Sequence, residues 1–289
     1  MKVLVTGATG FTGSHVVPML LAAGVAVRCF IRNSTRIEGL GERVEIARGE
    51  LEDPGTLRRA LEGCDALVNI ASLGFGHAAG IVGAAQTAGI SRGLFVSTTG
   101  IFTALNASSK AVRVAAEKAI TSSRLDYTIL RPTMIYGSSR DRNICRLIRF
   151  LNRWPAIPVM GSGEFLQQPV YVGDLANSIV QALLTPESRN KAYNISGAEP
   201  LTYNEVIHTV CSLLGRRVQM FHMPARPVVG LLRFAQFLTK SLPIKAEQVE
   251  RLNEDKAFAH AEATQDFGFR PLTFREGVRL ELQEMGLES

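Results

Sequence analysis

Cysteine is scarce in this chain and never paired. Its four residues, at positions 29, 64, 145 and 211 of 289, include no Cys-x-x-Cys. That spacing excludes a disulfide framework and a cysteine zinc site, and it suits a reduced, cytosolic compartment. The five histidines, at 15, 77, 208, 222 and 260, are equally scattered, with no metal-ligand spacing. No apolar run reaches the ~18–20 residues that a membrane-spanning helix needs. The amino terminus, MKVLVTGATG, turns into glycines after four strand-like residues, unlike a signal peptide. There is no internal repeat at solenoid periods and no low-complexity tract.

What is present is ordinary globular material. Hydrophobic residues make up 46% and charged residues 20%, enough to bury a sizeable core in one large domain or two joined ones. Net charge is +6, from 32 Lys and Arg against 26 Asp and Glu. The basic residues are spread out, without dense runs or interleaved aromatics. This favours small phosphate-bearing ligands over nucleic acid.

The first half alternates strand and helix signals. Strands are expected at 3–5, 27–31, 44–47, 66–70, 94–96 and 127–130, and helices at 12–23, 54–62, 79–88 and 108–122. Pro18 should kink or strain the first helix. Alternation of this kind implies a Rossmann-type α/β fold, a doubly wound parallel sheet. After Gly137 the pattern changes. A basic helix at 143–153 runs into breaker-rich segments (154–158 and 161–163), then a strand at 170–172 and a helix at 174–184. Thr202-Tyr203-Asn204-Glu205 has the form of a capping box and should open a helix to Leu214. The expected division is residues 1–137, with 165–185 returning to them, as the dinucleotide-binding core. Residues 138–164 and 186–289 would form a smaller, mainly helical substrate-binding part.

Thr6-Gly7-Ala8-Thr9-Gly10-Phe11-Thr12-Gly13 lies between the first strand and the first helix. Its glycines follow a GxxGxxG spacing. A turn without side chains lets backbone amides and the helix N-terminus approach a pyrophosphate, which makes this loop a dinucleotide site.

Together with Gly49-Glu50-Leu51, Asn69-Ile70-Ala71-Ser72, Arg131-Pro132, Tyr136-Gly137, the run 169–176, Tyr193–Gly197 and Phe267–Pro271, this loop resembles the extended and atypical short-chain dehydrogenase/reductases. That superfamily contains the NAD-dependent nucleotide-sugar epimerases and dehydratases. The resemblance covers nearly the whole chain. It implies a cofactor site of Gly7, Thr9, Gly10, Phe11, Thr12 and Gly13, with Glu50 and Leu51 flanking the adenine. Ala71 and Ser72 would line the path to the nicotinamide, with Ser97, Arg113 and Thr133 completing the set. The position where NAD-preferring relatives carry a carboxylate corresponds to Ile31, and Arg32 follows, with Arg28 and Arg36 nearby. An arginine can bind a 2′-phosphate bidentately, so NADP is expected over NAD.

The family's reaction centre joins a Ser or Thr to a Tyr-x-x-x-Lys, whose four-residue spacing puts both side chains on one helix face. Thr98 aligns with the hydroxyl. Anchored on Glu117 and Arg131, the pattern places Ser109 at the tyrosine and Arg113 at the lysine. In the other register, Lys110 is the lysine and Asn106 the tyrosine. Neither restores the usual proton relay, since arginine stays protonated and serine is a far weaker acid than a phenol. Tyr136, Lys110 and His77 are the other candidate proton donors. Arg140, Asp141, Arg142 and Asn143 open the segment that covers the site in the family. Gln167, Gln168, Arg146 and Arg149 are candidate phosphate contacts, and Asp174 is scaffold that caps a helix.

The resemblance implies an NADP(H)-dependent oxidoreductase, epimerase or dehydratase acting on a nucleotide- or lipid-diphosphate-linked sugar. Two other readings stand beside it. One is a catalytically silent NADPH-binding sensor or structural subunit. The other is an isoflavone-reductase-like enzyme for quinones or aromatics. Residues 227–245, an apolar stretch with basic flanks, suit peripheral membrane contact, and a homodimer is in keeping with the family.

Overall fold

The computed structural model describes residues 1–34, 43–105, 108–230, 250 and 252–287. Six parallel strands come first: β1 (Lys2–Thr6), β2 (Ala26–Ile31), β3 (Glu45–Arg48), β4 (Ala66–Asn69), β5 (Arg92–Val96) and β6 (Asp126–Pro132). Helices α1 (Gly13–Ala22), α2 (Pro54–Leu61), α3 (Ala78–Thr87) and α4 (Ser108–Thr121) connect them. The central strands β1, β4 and β5 are buried on both faces, as a sheet covered on both sides requires, while edge strand β3 exposes Glu45 and Arg48. Val3 and Val5 enter one core with Val16 and Leu20 of α1, while Leu4 enters the other with Leu57 of α2, Ile81 of α3 and Ile120 of α4. α1 runs unbroken through Pro18, which lies on its exposed side.

Beyond the sixth strand the chain forms β7 (Ile135–Tyr136), α5 (Ile144–Arg153), β8 (Ala156–Met160), β9 (Leu166–Gln167), β10 (Val170–Tyr171) and α6 (Val172–Leu184). It then returns to the sheet. β11 (Lys191–Ile195) pairs in parallel with β6, giving the seven-stranded order β11-β6-β5-β4-β1-β2-β3. Residues 191–195, which the expected division gave to the substrate-binding part, thus add a strand to the sheet. Tyr193 and Ile195 point into the first core, so only two inward apolar positions marked the strand.

The remaining elements are β12 (Leu201–Thr202), α7 (Tyr203–Leu213), β13 (Gln219–Met223), α8 (Ala261–Phe267) and α9 (Phe274–Glu284). The Thr202–Glu205 capping box is formed, and a second at Thr273–Glu276 opens α9. Residues 156–158 of the breaker-rich run at 154–158 open strand β8, which pairs with β13. Pro158 is tolerated because a two-stranded ribbon leaves each strand one unpaired edge, and Ile157 and Val159 alternate into a third core with α5, α7 and α9. α8 packs on the first core through Ala263 and Phe267, so it too belongs with the sheet. Among the described residues no helix is long and apolar enough to cross a membrane. The apolar stretch at 227–245 lies outside the described residues beyond Gly230.

Candidate dinucleotide and reaction site

Because the strands are parallel, the loops after β1, β2, β4 and β5 all leave the same edge of the sheet. Strand order reverses between β1 and β4, the place where open α/β sheets bind ligands. The glycine loop sits there. Gly7 has φ +72°, and a Cβ on it would lie 2.8 Å from the Ala71 nitrogen. A Cβ on Gly13 would lie 2.2 Å from the Gly7 carbonyl oxygen, so only glycine lets α1 begin so close to the turn. Just before α1, the amides of Phe11 and Thr12 have no acceptor among the described residues. A cradle that a Cβ would fill, with free amides at a helix start, fits a pyrophosphate.

Two arginines stand at the ends of β2 and β3. Arg32 is exposed, and Arg48 donates through Nη1 to the carbonyls of Arg32 (3.3 Å) and Asn33 (2.9 Å). Arg28 is not with them. Its Nε donates to Glu45 at 2.9 Å and its Nη1 to the carbonyls of Ala60 and Glu62 at 2.7 Å, which removes it from the phosphate candidates. Arg36 lies outside the described residues. Glu50 is half-buried, and Leu51 packs against the second core.

At the end of β4, buried Asn69 accepts from the Thr6 hydroxyl at 2.8 Å and donates to the Ala71 carbonyl at 3.0 Å, fixing the turn that carries Ala71 and Ser72. Ser72 Oγ accepts from the Gly74 amide at 3.2 Å. The Arg113 guanidinium lies against Gly74, within 3.2–3.3 Å of where its Cβ would be. Arg113 Nη1 donates to Ser109 Oγ at 3.1 Å, so these two share one face of α4.

Three consecutive hydroxyls follow β5, and their bonding separates them. Ser97 Oγ donates to Glu117 at 2.5 Å, and Thr99 Oγ1 donates to the Pro132 carbonyl at 3.3 Å. Thr98 Oγ1 accepts from the Gly100 amide at 3.1 Å and donates to nothing among the described residues. Thr98 is therefore the hydroxyl with a proton to offer, whereas that of Ser97 is held by scaffold. Glu117 also takes Arg131, whose guanidinium lies 5.3 Å from the centre of the Phe102 ring.

Several sequence candidates occupy other roles. Tyr136 is a correction: it is fully buried among Tyr171, Phe274 and Gly277, and its hydroxyl donates to the Phe274 carbonyl at 3.4 Å. Burial in the third core pushes its pKa well above the usual phenol value. Thr133 is corrected likewise, its buried hydroxyl being held by the Gln168 carbonyl at 2.5 Å. Lys110 Nζ donates to the Thr103 carbonyl at 2.5 Å, and His77 meets Glu52 at 3.3 Å. Asn106 lies outside the described residues.

In the second part, Gln168 is buried between the Gly197 carbonyl and the Phe258 amide, and Gln167 is buried with Lys256 Nζ 3.4 Å from its Oε1. The Gln168 amide is engaged at both ends, whereas Gln167 Nε2 has no hydrogen-bond partner among the described residues. Arg146 and Arg149 are exposed on α5, and Arg149 donates to the Ser139 carbonyl at 3.3 Å. Asp174 is scaffold, but it holds the Leu272 amide at 2.9 Å and caps no helix. Arg142 and Asn143 are exposed, while Asp141 is buried and accepts from the amides of Asn143 and Cys145.

Sequence reasoning missed Glu254. It binds the Thr103 hydroxyl (2.6 Å) and the Ala104 amide (2.5 Å), and it joins Phe102, Lys256 and Phe258 around a crevice of about 50 Å³ beside Thr99. Nothing local in the sequence marks that long-range contact. Among the described residues no three metal-ligating side chains gather.

Comparison with known proteins agrees with this architecture. The NAD(P)H-binding family matches residues 7–148, and the 3-beta hydroxysteroid dehydrogenase/isomerase family matches residues 102–224. The chain is 27% identical to 2-alkyl-3-oxoalkanoate reductase of Shewanella oneidensis, over 95% of this chain and 84% of that protein. It is 29% identical to NAD(P)H azoreductase of Xenophilus azovorans, over 89% and 87%. With the mitochondrial NADH dehydrogenase (ubiquinone) 1 alpha subcomplex subunit 9 of Dictyostelium discoideum it shares 26% identity, over 71% of this chain and 62% of that protein. Thermus thermophilus UDP-glucose 4-epimerase, solved in complex with NAD, superposes with a TM-score of 0.76 at 22% identity, over 99% of both chains. The family matches meet on a seven-stranded sheet with a glycine cradle at its switch point: this chain carries a Rossmann domain that matches the NAD(P)H-binding family.

Proposed function

We propose that the protein is an NADP(H)-dependent oxidoreductase acting at a carbonyl or carbinol carbon. The observation that carries this reading is the bonding of Thr98, the one hydroxyl of three after β5 that keeps its proton. Gly7 to Gly13 would hold the pyrophosphate, and Arg32 with Arg48 behind it would hold the 2′-phosphate. The bound nicotinamide would supply or accept the hydride. The Gly100 amide fixes the Thr98 oxygen, so its O–H is left to donate to the substrate oxygen and polarise the bond. Ser109 accepts from Arg113 and thereby keeps its own proton for a relay with water. Arg113 stays charged at every working pH and favours negative charge developing on that oxygen.

The resemblance makes the substrate a nucleotide- or lipid-diphosphate-linked sugar. The reductase names of the Shewanella and Xenophilus proteins support reduction as the direction, with 3-oxoalkanoates and azo compounds as the other substrate classes to test. A catalytically silent NADPH-binding subunit is the second reading. The similarity to the mitochondrial NADH dehydrogenase subunit favours it, as do the burial of Tyr136 and the engagement of Lys110.

NADPH oxidation across a panel of 4-keto sugar nucleotides, 3-oxo acids, azo compounds and quinones separates the two. The enzyme reading expects turnover with one class, reduced at least ~100-fold by Thr98→Val with cofactor affinity kept. NADPH stabilising the fold against heat with no turnover on any class would sink it in favour of the silent subunit.

A further inference from the structure

We infer that Arg140 is a binding residue for the pyrophosphate of the dinucleotide, reaching the glycine loop from the segment after β7. The inference rests on the NADP(H) reading above. Sequence reasoning assigned this segment to the cover of the substrate site. The structure lays Arg140 on the cofactor loop, where Nη2 donates to the Thr9 carbonyl at 2.9 Å and Nη1 to Ser14 Oγ at 3.2 Å. Ser14 Oγ in turn donates to the Phe11 carbonyl at 2.8 Å. The guanidinium is therefore bonded to the loop on either side of Phe11 and Thr12, at Thr9 and Ser14, and the amides of those two residues have no acceptor among the described residues.

A guanidinium carries five N–H donors, and Arg140 uses two of them. The carboxylates around it are engaged elsewhere. Asp141 takes the amides of Asn143 and Cys145, and Glu284 takes the Ser139 amide at 3.3 Å. No ion pair holds Arg140 among the described residues, so a full positive charge with three open donors stands at the helix start. A glycine cradle binds a pyrophosphate through partial charges, and a planar cation at its rim adds the charge-assisted, bidentate contact such a group favours. The backbone of the segment is anchored at Ser138. Ser138 Oγ takes the Arg140 amide at 3.1 Å, and Ser138 is buried.

The test is equilibrium binding of NADP⁺ and of adenosine 2′-monophosphate, which lacks the pyrophosphate, to the wild type and to Arg140→Ala and Arg140→Lys. Arg140→Ala should weaken NADP⁺ by about 10–100-fold and leave adenosine 2′-monophosphate within about twofold, while Arg140→Lys recovers part of the loss. Equal weakening of both ligands would mean that Arg140 only shapes the loop, and unchanged NADP⁺ binding would mean that it does nothing there; either overturns the inference alone. A wild-type chain that binds no dinucleotide would overturn the proposed function and this inference with it.

Discussion

Arg131 meets Glu117 through both carboxylate oxygens, with Nε at 3.1 and 3.0 Å and Nη2 at 2.6 Å, and the same carboxylate takes the Ser97 hydroxyl at 2.5 Å. One buried group thereby ties α4 to β6 and to the end of β5. This is the pair on which the register of α4 was anchored. Its formation fits the placement of Ser109 and Arg113 on the helix face opposite the loop after β4.

Removing one partner leaves the other charge in a largely dry site. Glu117→Ala should therefore cost about 3 kcal/mol of stability, and Glu117→Gln less, because the amide still accepts from Arg131. Urea unfolding measures both. A change below about 0.5 kcal/mol for the alanine variant would show that the pair does not hold the helix.

The proposed NADP preference makes Arg32 the residue to test. Arg32→Asp replaces a bidentate donor by a carboxylate, and it should raise the NADPH dissociation constant ~10–100-fold while moving NADH less than about threefold. Fluorescence titration with both dinucleotides reads the difference. Equal losses would assign Arg32 to the general surface and leave the NADP preference without support.

The sheet was legible because its central strands are apolar on both faces and its turns carry glycine, both of which are local signals. The expected strand at 27–31 is β2 at Ala26–Ile31, and the helix at 54–62 is α2 at Pro54–Leu61. β11 and β8 were not legible. Two inward residues make a short pattern, and Pro155 with Pro158 reads as a breaker until a ribbon partner at Gln219–Met223 is known. The site divided along the same line. Glycine spacing announces a cradle from sequence, but whether Ser97, Thr98 or Thr99 keeps its proton depends on partners 20 and 33 residues away. Tyr136 misled for the matching reason. A tyrosine after the sixth strand looks available until Phe274 and Gly277, far along the chain, are seen to enclose it.

Glu281 on α9 offers a test of burial through pH. It is fully buried, with its carboxyl beside that of Asp141. Desolvation, reinforced by Asp141, pushes its pKa from 4.5 up to about 10. The folded chain thus holds a proton that the unfolded chain releases above its ordinary pKa. Between those two values the native state binds more protons, so stability from this residue falls as pH rises and is lowest above the folded value. Glu281→Gln removes the titration while keeping the shape. The variant should gain stability relative to the wild type as pH goes from 5 to 8, by up to about 4 kcal/mol over that interval. Urea midpoints at the two pH values decide it, and a difference between variant and wild type that does not change with pH would show that Glu281 is ionised in the folded protein.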